Sequence, residues 1–199
     1  MTMSGDVHLV LASTSRYRRE LLARLGVHFR IQAPDIDETA RHDEKPHALA
    51  ERLALAKASA IAKVCPGALV IGSDQVAEVD GRTLGKPGSA EAARAQLAAS
   101  SGRILLFHTA LCVIDTRADP VRVHAATDVT RVVFRALAAD EIARYVAIEA
   151  PLDCAGSFKA EGLGITLFER IESGDPSALI GLPLIALARL LRAAGIALP

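Results

Sequence analysis

Three features predict an α/β fold with a mixed sheet. The segments His8-Leu9-Val10-Leu11-Ala12 and Leu69-Val70-Ile71 are short continuous apolar runs, the mark of strands buried on both faces. Helices with apolar residues at helical spacing lie between them. Two long β-rich segments follow, Arg103 to Ile114 and Val121 to Phe134, joined by Asp115 to Pro120, and suit an extended antiparallel pair.

The elements can be justified in order. His8–Ala12 leads into Ser13-Thr14-Ser15, a cluster of N-cap residues. Leu21, Leu22 and Leu25 then give a helix a buried stripe that stops at Gly26. Phe29-Arg30-Ile31 reads as a short strand. The helix from Pro46 to about Val64 has proline in its first turn, and Leu49, Leu53, Ala56, Ala60 and Val64 share one face. The run from Leu69 reads as a strand that ends in Gly72-Ser73-Asp74-Gln75. Val76 to Val79 and Arg82 to Leu84 flank Asp80-Gly81, a strong hairpin signal. Helices are expected from about Ala90 to Ala99 and from Asp140 to Ile148, a strand over Ile165 to Phe168, and a terminal helix over Leu179 to Ala194. No linker interrupts the chain, so residues 1–199 read as a single domain with two lobes.

Composition narrows the function. Lys+Arg 23 balance Asp+Glu 23, so no whole-surface attraction to nucleic acid or to an anionic membrane is expected. No apolar segment approaches the roughly 18 residues of a membrane span. The start, Met1 to Val7, lacks the basic and apolar regions of a signal peptide, which points to a cytoplasmic protein. Cys65, Cys112 and Cys154 are far apart with no C-x-x-C, which argues against a disulfide framework or zinc site and for buried free thiols.

Chemistry concentrates around Asp74. In open α/β sheets ligands sit beyond the carboxyl ends of strands, and Gly72 before it permits close backbone approach. An Asp at a strand end can equally cap a turn. Arg16, Arg18 and Arg19 crowd a helix N-terminus that already carries positive partial charge, so either an anion binds there with Ser13, Thr14 and Ser15, or the face is solvated. Asp35, Asp37 and Glu38 crowd a turn-rich loop, which suits a hard cation such as Mg²⁺ or Mn²⁺, or simply an exposed acidic loop. Lys57 shares an apolar ridge with Leu53 and Ile61; its head either snorkels to water or reaches Asp74 as a buried cation. Lys86, between Gly85 and Pro87, is a phosphate contact or an ordinary turn lysine.

Together these groups suit metal-assisted attack of water on a phosphoanhydride. Arg18, Lys57 and Lys86 would offset triphosphate charge, while Asp74 and Glu38 would hold a divalent cation and activate the water. A Walker loop, a dinucleotide fingerprint and a G-x-S-x-G elbow are all absent from the sequence.

Leu11-Ala12-Ser13-Thr14-Ser15-Arg16-Tyr17-Arg18-Arg19-Glu20-Leu21-Leu22, Ile71-Gly72-Ser73-Asp74-Gln75, Gly85-Lys86-Pro87, Arg131 to Arg135 and Gly181-Leu182-Pro183-Leu184 resemble the Maf family of nucleoside triphosphate pyrophosphatases. The resemblance runs in order over nearly the whole chain. It implies an elongated mixed sheet flanked by helices, Maf/ITPase-like, with a nucleotide cleft between two lobes and often a homodimer. The implied reaction is metal-dependent hydrolysis of a nucleotide to its monophosphate and pyrophosphate. Asp74 matches the catalytic aspartate, and Ser13, Arg18, Glu38, Lys57, Gln75 and Lys86 match polar pocket positions.

Tyr17, Asp153-Cys154-Ala155-Gly156-Ser157-Phe158-Lys159, Glu161-Gly162 and Asp175-Pro176 resemble the branch of the family acting on 7-methyl-GTP. The branch acting on dTTP and UTP usually has Gln-Gly at the position of Glu161-Gly162. Physically, Tyr17 would stack on the cationic methylated base, Glu161 would accept from guanine N1 and N2, and Gln75 would join them in setting specificity. Arg16 stands where the family commonly has proline. The alternatives are a dTTP/UTP pyrophosphatase and a nucleotide-binding regulator of cell division and septum formation.

Overall fold

In the computed structural model, which describes residues 7–199, the strands form one seven-stranded sheet in the order β2-β1-β3-β5-β6-β7, with β4 paired to β3 off that path. The stretch Met1 to Asp6, most of the segment read for a targeting signal, lies outside the described residues. Strand β1 (His8–Ala12) pairs in parallel with β2 (Arg30–Gln32) and with β3 (Ala68–Val79). Strands β5 (Ile104–Asp115), β6 (Arg122–Phe134) and β7 (Phe168–Glu172) extend the sheet antiparallel from β3. No helix among the described residues is long and apolar enough to cross a membrane.

The apolar runs are continuous because both faces are covered. Val10, Ala12 and Val70 point at α2 (Pro46–Ala62), whereas Leu9, Leu11, Leu69 and Ile71 pack with α1 (Arg16–Ala23) and α5 (Leu184–Ala193). A second core forms where β5 and β6 meet α3 (Ala90–Ser100) and α4 (Ala139–Glu149). Phe107, Phe134, Phe158 and Phe168 pack edge to face there, with ring centroids 4.7–5.7 Å apart.

Strand β3 departs from expectation in a way that builds the cleft. It does not end at Asp74 but runs on to Val79, paired with β5 over residues 69–78. The polar residues stay in the strand because they are bonded: the Ser73 hydroxyl donates to the carbonyls of Ala110 (2.8 Å) and Gly181 (3.1 Å). It is β1 that stops, at the pair Ala12↔Gly72, so Asp74 lies just past the carboxyl end of the neighbouring strand. Asp80 and Gly81 both have positive φ (48° and 78°), as a type I′ hairpin turn into β4 (Arg82–Leu84) demands.

Other boundaries also moved. Helix α1 ends at Ala23, and Gly26 terminates the turn beyond it. The stretch read as a strand at Ile165 to Phe168 is a 3₁₀ turn, Leu163–Leu167, with β7 beginning only at Phe168. The terminal helix is split: a 3₁₀ turn, Ala178–Ile180, is followed by Gly181 at φ 124°, which halts the helix before Pro183 caps α5. All three cysteines are free, but only Cys112 is buried; Cys65 and Cys154 are half-buried.

Candidate active site

A cleft of about 520 Å³ opens past the end of β1, and its floor is Asp74. What brings a cation to that carboxylate is Gly72. A Cβ on Gly72 would sit 2.3 Å from the Ala54 carbonyl and 2.6 Å from the Ala58 nitrogen, so α2 lies directly on the strand. That spacing lets Lys57, one residue before Ala58, reach Asp74 rather than water. Its ammonium is 2.6 Å from Asp74 Oδ1 and 2.8 Å from Glu38 Oε1, and the residue is 6% exposed.

Of the three arginines at the start of α1, only Arg18 turns inward. Its Nε donates to the Gly181 carbonyl at 2.9 Å, and Nη2 lies 3.9 Å from Asp74 Oδ1. Burial pulls this guanidinium below its usual value, against the opposing pull of Asp74 and Glu38. It stays charged, because a guanidinium starts far above neutrality. Both cations meet Oδ1 of Asp74, while Oδ2 has no protein partner among the described residues. The hydroxyls above the site serve first as caps: Ser15 Oγ accepts the Arg18 N–H (3.4 Å) and Ser13 Oγ accepts the Ser15 N–H (3.1 Å). Each keeps its own hydrogen to donate.

Of the carboxylates in the acidic loop, Glu38 alone lines the cleft, beside Pro34; Asp37 Oδ1 instead accepts the Thr39 N–H at 2.9 Å in a local turn. Among the described residues no three His, Cys, Asp or Glu side chains are grouped to hold a metal ion. Two carboxylates still fit a hard divalent cation, because such ions take one or two protein carboxylates and complete their shell with water and phosphate oxygens. Asp74 Oδ1 and Glu38 Oε1 converge on one point, now taken by the Lys57 ammonium.

Gln75 has a structural task that its sequence position did not disclose. Its Nε2 donates to Thr109 Oγ1 (3.0 Å) and to the carbonyls of Ala178 (2.9 Å) and Leu179 (3.0 Å), bolting the 178–180 turn to the sheet as one wall of the cleft. Lys86 is exposed on the cleft lining and has no ion pair among the described residues. Asp175, part of the Asp175-Pro176 pair that resembles the 7-methyl-GTP branch, is buried and organises the approach to α5: Oδ1 accepts from the Ser177 hydroxyl (2.6 Å) and Oδ2 from the Ile185 N–H (2.6 Å).

The other end of the cleft carries Tyr17, Cys154 and Glu161. Arg16, the departure from the family pattern, lies against Tyr17, with Nη2 2.8 Å from the hydroxyl and Cζ 4.7 Å from the ring centroid. Burial pushes the Tyr17 hydroxyl up to about 12. Burial likewise raises the Cys154 thiol to about 11, so it is protonated at neutral pH and no nucleophile. Glu161 is exposed and makes no hydrogen bond or ion pair through its side chain among the described residues. Neither Arg131 nor Arg135 lines the cleft; they pair with Glu172 (2.9 Å) and Glu141 (2.9 Å).

Known proteins resemble this chain in sequence and in fold. A protein of Xanthomonas oryzae pv. oryzae (strain MAFF 311018) named 7-methyl-GTP pyrophosphatase is 58% identical over 191 residues, covering 96% of this chain and 98% of its own. One of the same name from Cupriavidus metallidurans (strain ATCC 43123 / DSM 2839 / NBRC 102507 / CH34) is 52% identical over 195 residues, covering 97% of each chain. In fold, the chain is similar to the Staphylococcus aureus Ham1 protein, with a TM-score of 0.53 at 16% identity over 94% of this chain and 99% of that one. The family model described as Maf-like protein matches residues 8–194, and with relatives this similar over nearly their full length the chain belongs to the Maf-like protein family.

Proposed function

We propose that the chain is a nucleoside triphosphate pyrophosphatase that cleaves 7-methyl-GTP to 7-methyl-GMP and pyrophosphate. The observation that carries this reading is the division of one cleft: a buried carboxylate held by two cations at one end, and an aromatic ring beside an unpartnered carboxylate at the other. The names of its relatives support the same reaction. Arg18, Lys57 and Lys86 bind the triphosphate, whose oxygens give the two enclosed cations a further anionic partner. Asp74 Oδ2 orients a water and takes its proton as the water oxygen bonds to the α-phosphorus; the α–β anhydride breaks and pyrophosphate leaves. A divalent cation held by Glu38 and Asp74 would, when bound, neutralise charge on the phosphate oxygens. At the far end Tyr17 stacks on the cationic base and Glu161 accepts from guanine N1 and N2, with Gln75 holding the wall beside them.

In this reading the whole length acts as one unit in the cytoplasm and removes modified nucleotide before it enters RNA. A homodimer is part of the reading. It is supported by the outer edge of β6, which has no strand partner before Arg131 among the described residues and where Val123 and Val129 are exposed. Light scattering in solution checks it, and a monomeric mass overturns it.

The deciding assay is pyrophosphate release from 7-methyl-GTP, GTP, dTTP and UTP with Mg²⁺ or Mn²⁺, for wild type and Glu161→Gln. Preference for 7-methyl-GTP, reduced about tenfold in the variant as a hydrogen bond to a charged acceptor is lost, is the expected result. Preference for dTTP or UTP would assign the other substrate class. Release from none of the four would favour a nucleotide-binding regulator.

A further inference from the structure

The loop that carries Glu161 is clamped from outside the cleft. Residues 159–164 wrap around one carbonyl: the N–H groups of Gly162 and Gly164 both donate to the Lys159 oxygen, at 3.2 and 3.1 Å. A Cβ on Gly164 would lie 2.3 Å from that oxygen, so the turn closes only because residue 164 has none. The last turns of α4 then hold both flanks of Glu161. On one flank the Lys159 N–H donates to the Tyr145 hydroxyl (3.0 Å), and the Lys159 ammonium donates to the Glu149 carbonyl (2.7 Å). On the other, Glu149 Oε2 accepts the Leu163 N–H at 2.8 Å and lies 2.7 Å from where a Cβ on Gly162 would be. Glu149 does not line the main cleft. It borders a second hollow of about 330 Å³, which shares Arg16, Tyr17, Glu161 and Ile180 with it.

We propose that Glu149 is a positioning residue for base recognition, fixing Glu161 at the guanine end through the Gly162–Leu163 peptide and through Lys159; this rests on the reading of Glu161 given above. The chemistry favours an ionised carboxylate in this role. It accepts a backbone N–H in a charge-assisted bond, and the Lys159 ammonium, 3.7 Å from Oε1, offsets its charge so that it does not repel Glu161. A carboxylate read by a flat base edge must be held within a fraction of an ångström, and a free loop does not do that.

The test compares Glu149→Ala, Glu149→Gln, Glu161→Ala and the double Ala variant, each as the full chain, by steady-state pyrophosphate release from 7-methyl-GTP and UTP. Glu149→Ala should raise KM for 7-methyl-GTP about tenfold with kcat nearly unchanged, the signature of lost uniform binding, and leave UTP unaffected. Glu149→Gln, which keeps an acceptor for Leu163, should restore most of that loss. Because the two residues act as one device, the double variant should be no worse than Glu161→Ala. An unchanged KM in Glu149→Ala, or losses that simply multiply, would overturn the assignment. Amide hydrogen exchange separates this from the fate of the function itself: Glu149→Ala should speed exchange at Leu163 and Gly164, whereas Glu161→Ala should not. Unchanged exchange overturns the clamp even if no nucleotide is hydrolysed, and accelerated exchange without any hydrolysis would overturn only the substrate reading.

Discussion

At the Asp74 end, Asp74, Lys57 and Arg18 come from β3, α2 and α1 and are largely enclosed and already partnered, Lys57 with Asp74 and Glu38 and Arg18 with Gly181, while Glu38 and Lys86 reach in from exposed loops. At the Glu161 end, the groups come from the first turn of α1 and from the 153–164 segment, and Glu161 stands exposed without a side-chain partner among the described residues. The first end is set by helix–sheet packing, the second by a loop pinned to α4. Most of the charge around Asp74 is thus held by the part of the molecule that costs most to deform, while Glu161 sits on an exposed turn and the neighbouring Phe158 anchors its segment in the core.

The largest effect expected from that contrast is on turnover. Asp74→Asn should lower kcat by about 10²–10⁴, the usual worth of a positioned acid–base group, with the far-UV circular dichroism unchanged. Wild-type turnover in a folded variant would remove Asp74 from its role. Gly72→Ala tests the packing beneath it. A methyl group driven to 2.3 Å from a helix carbonyl should cost about 3 kcal/mol in urea unfolding and lower activity too, since it lifts Lys57 away from Asp74. Asp175→Ala should cost about 1–2 kcal/mol by leaving the Ile185 N–H without its acceptor, with a smaller loss of activity.

The smallest effect concerns Cys154. Its thiol, pushed up to about 11, is neutral below that pH, so alkylation by iodoacetamide should be slow at pH 7.5 and quicken only as the pH climbs toward 11. Mass spectrometry of the labelled peptides checks it. Rapid labelling at pH 7.5 would mean that this end of the cleft is more open than the structure has it.

Much of the Asp74 end was legible in the chain because its signals are local. The apolar runs at 8–12 and 69–71, the side-chain-free Gly72, and the misplaced Lys57 on an apolar ridge each announce themselves within a few residues. Asp80-Gly81 likewise specifies its own turn. What was not legible depends on partners distant in sequence. Strand β3 continues through Ser73 and Gln75 only because carbonyls at 178–181 and 110 accept their hydrogens, and nothing near residue 73 foretells those. Ile165 to Phe168 looked like a strand by composition, yet Gly164 and the bond from Leu163 to Glu149 turn it into a 3₁₀ segment first. The role of Asp175 was hidden for a similar reason, since a buried cap is recognisable only once the helix it serves is in place.

The 178–181 turn also bears on how the protein is made. Ser73, Gln75 and Arg18 all donate to carbonyls of that turn, which lies more than a hundred residues beyond each of them. A nascent chain can pair β1 with β3 and lay α2 on the sheet while these donors still face water. The wall of the cleft closes only when the 178–181 turn, made long after these donors, docks on them. Contacts of such long sequence separation form late and cooperatively. A chain shortened before the turn would therefore keep Asp74 and Lys57 yet lack one wall of the cleft.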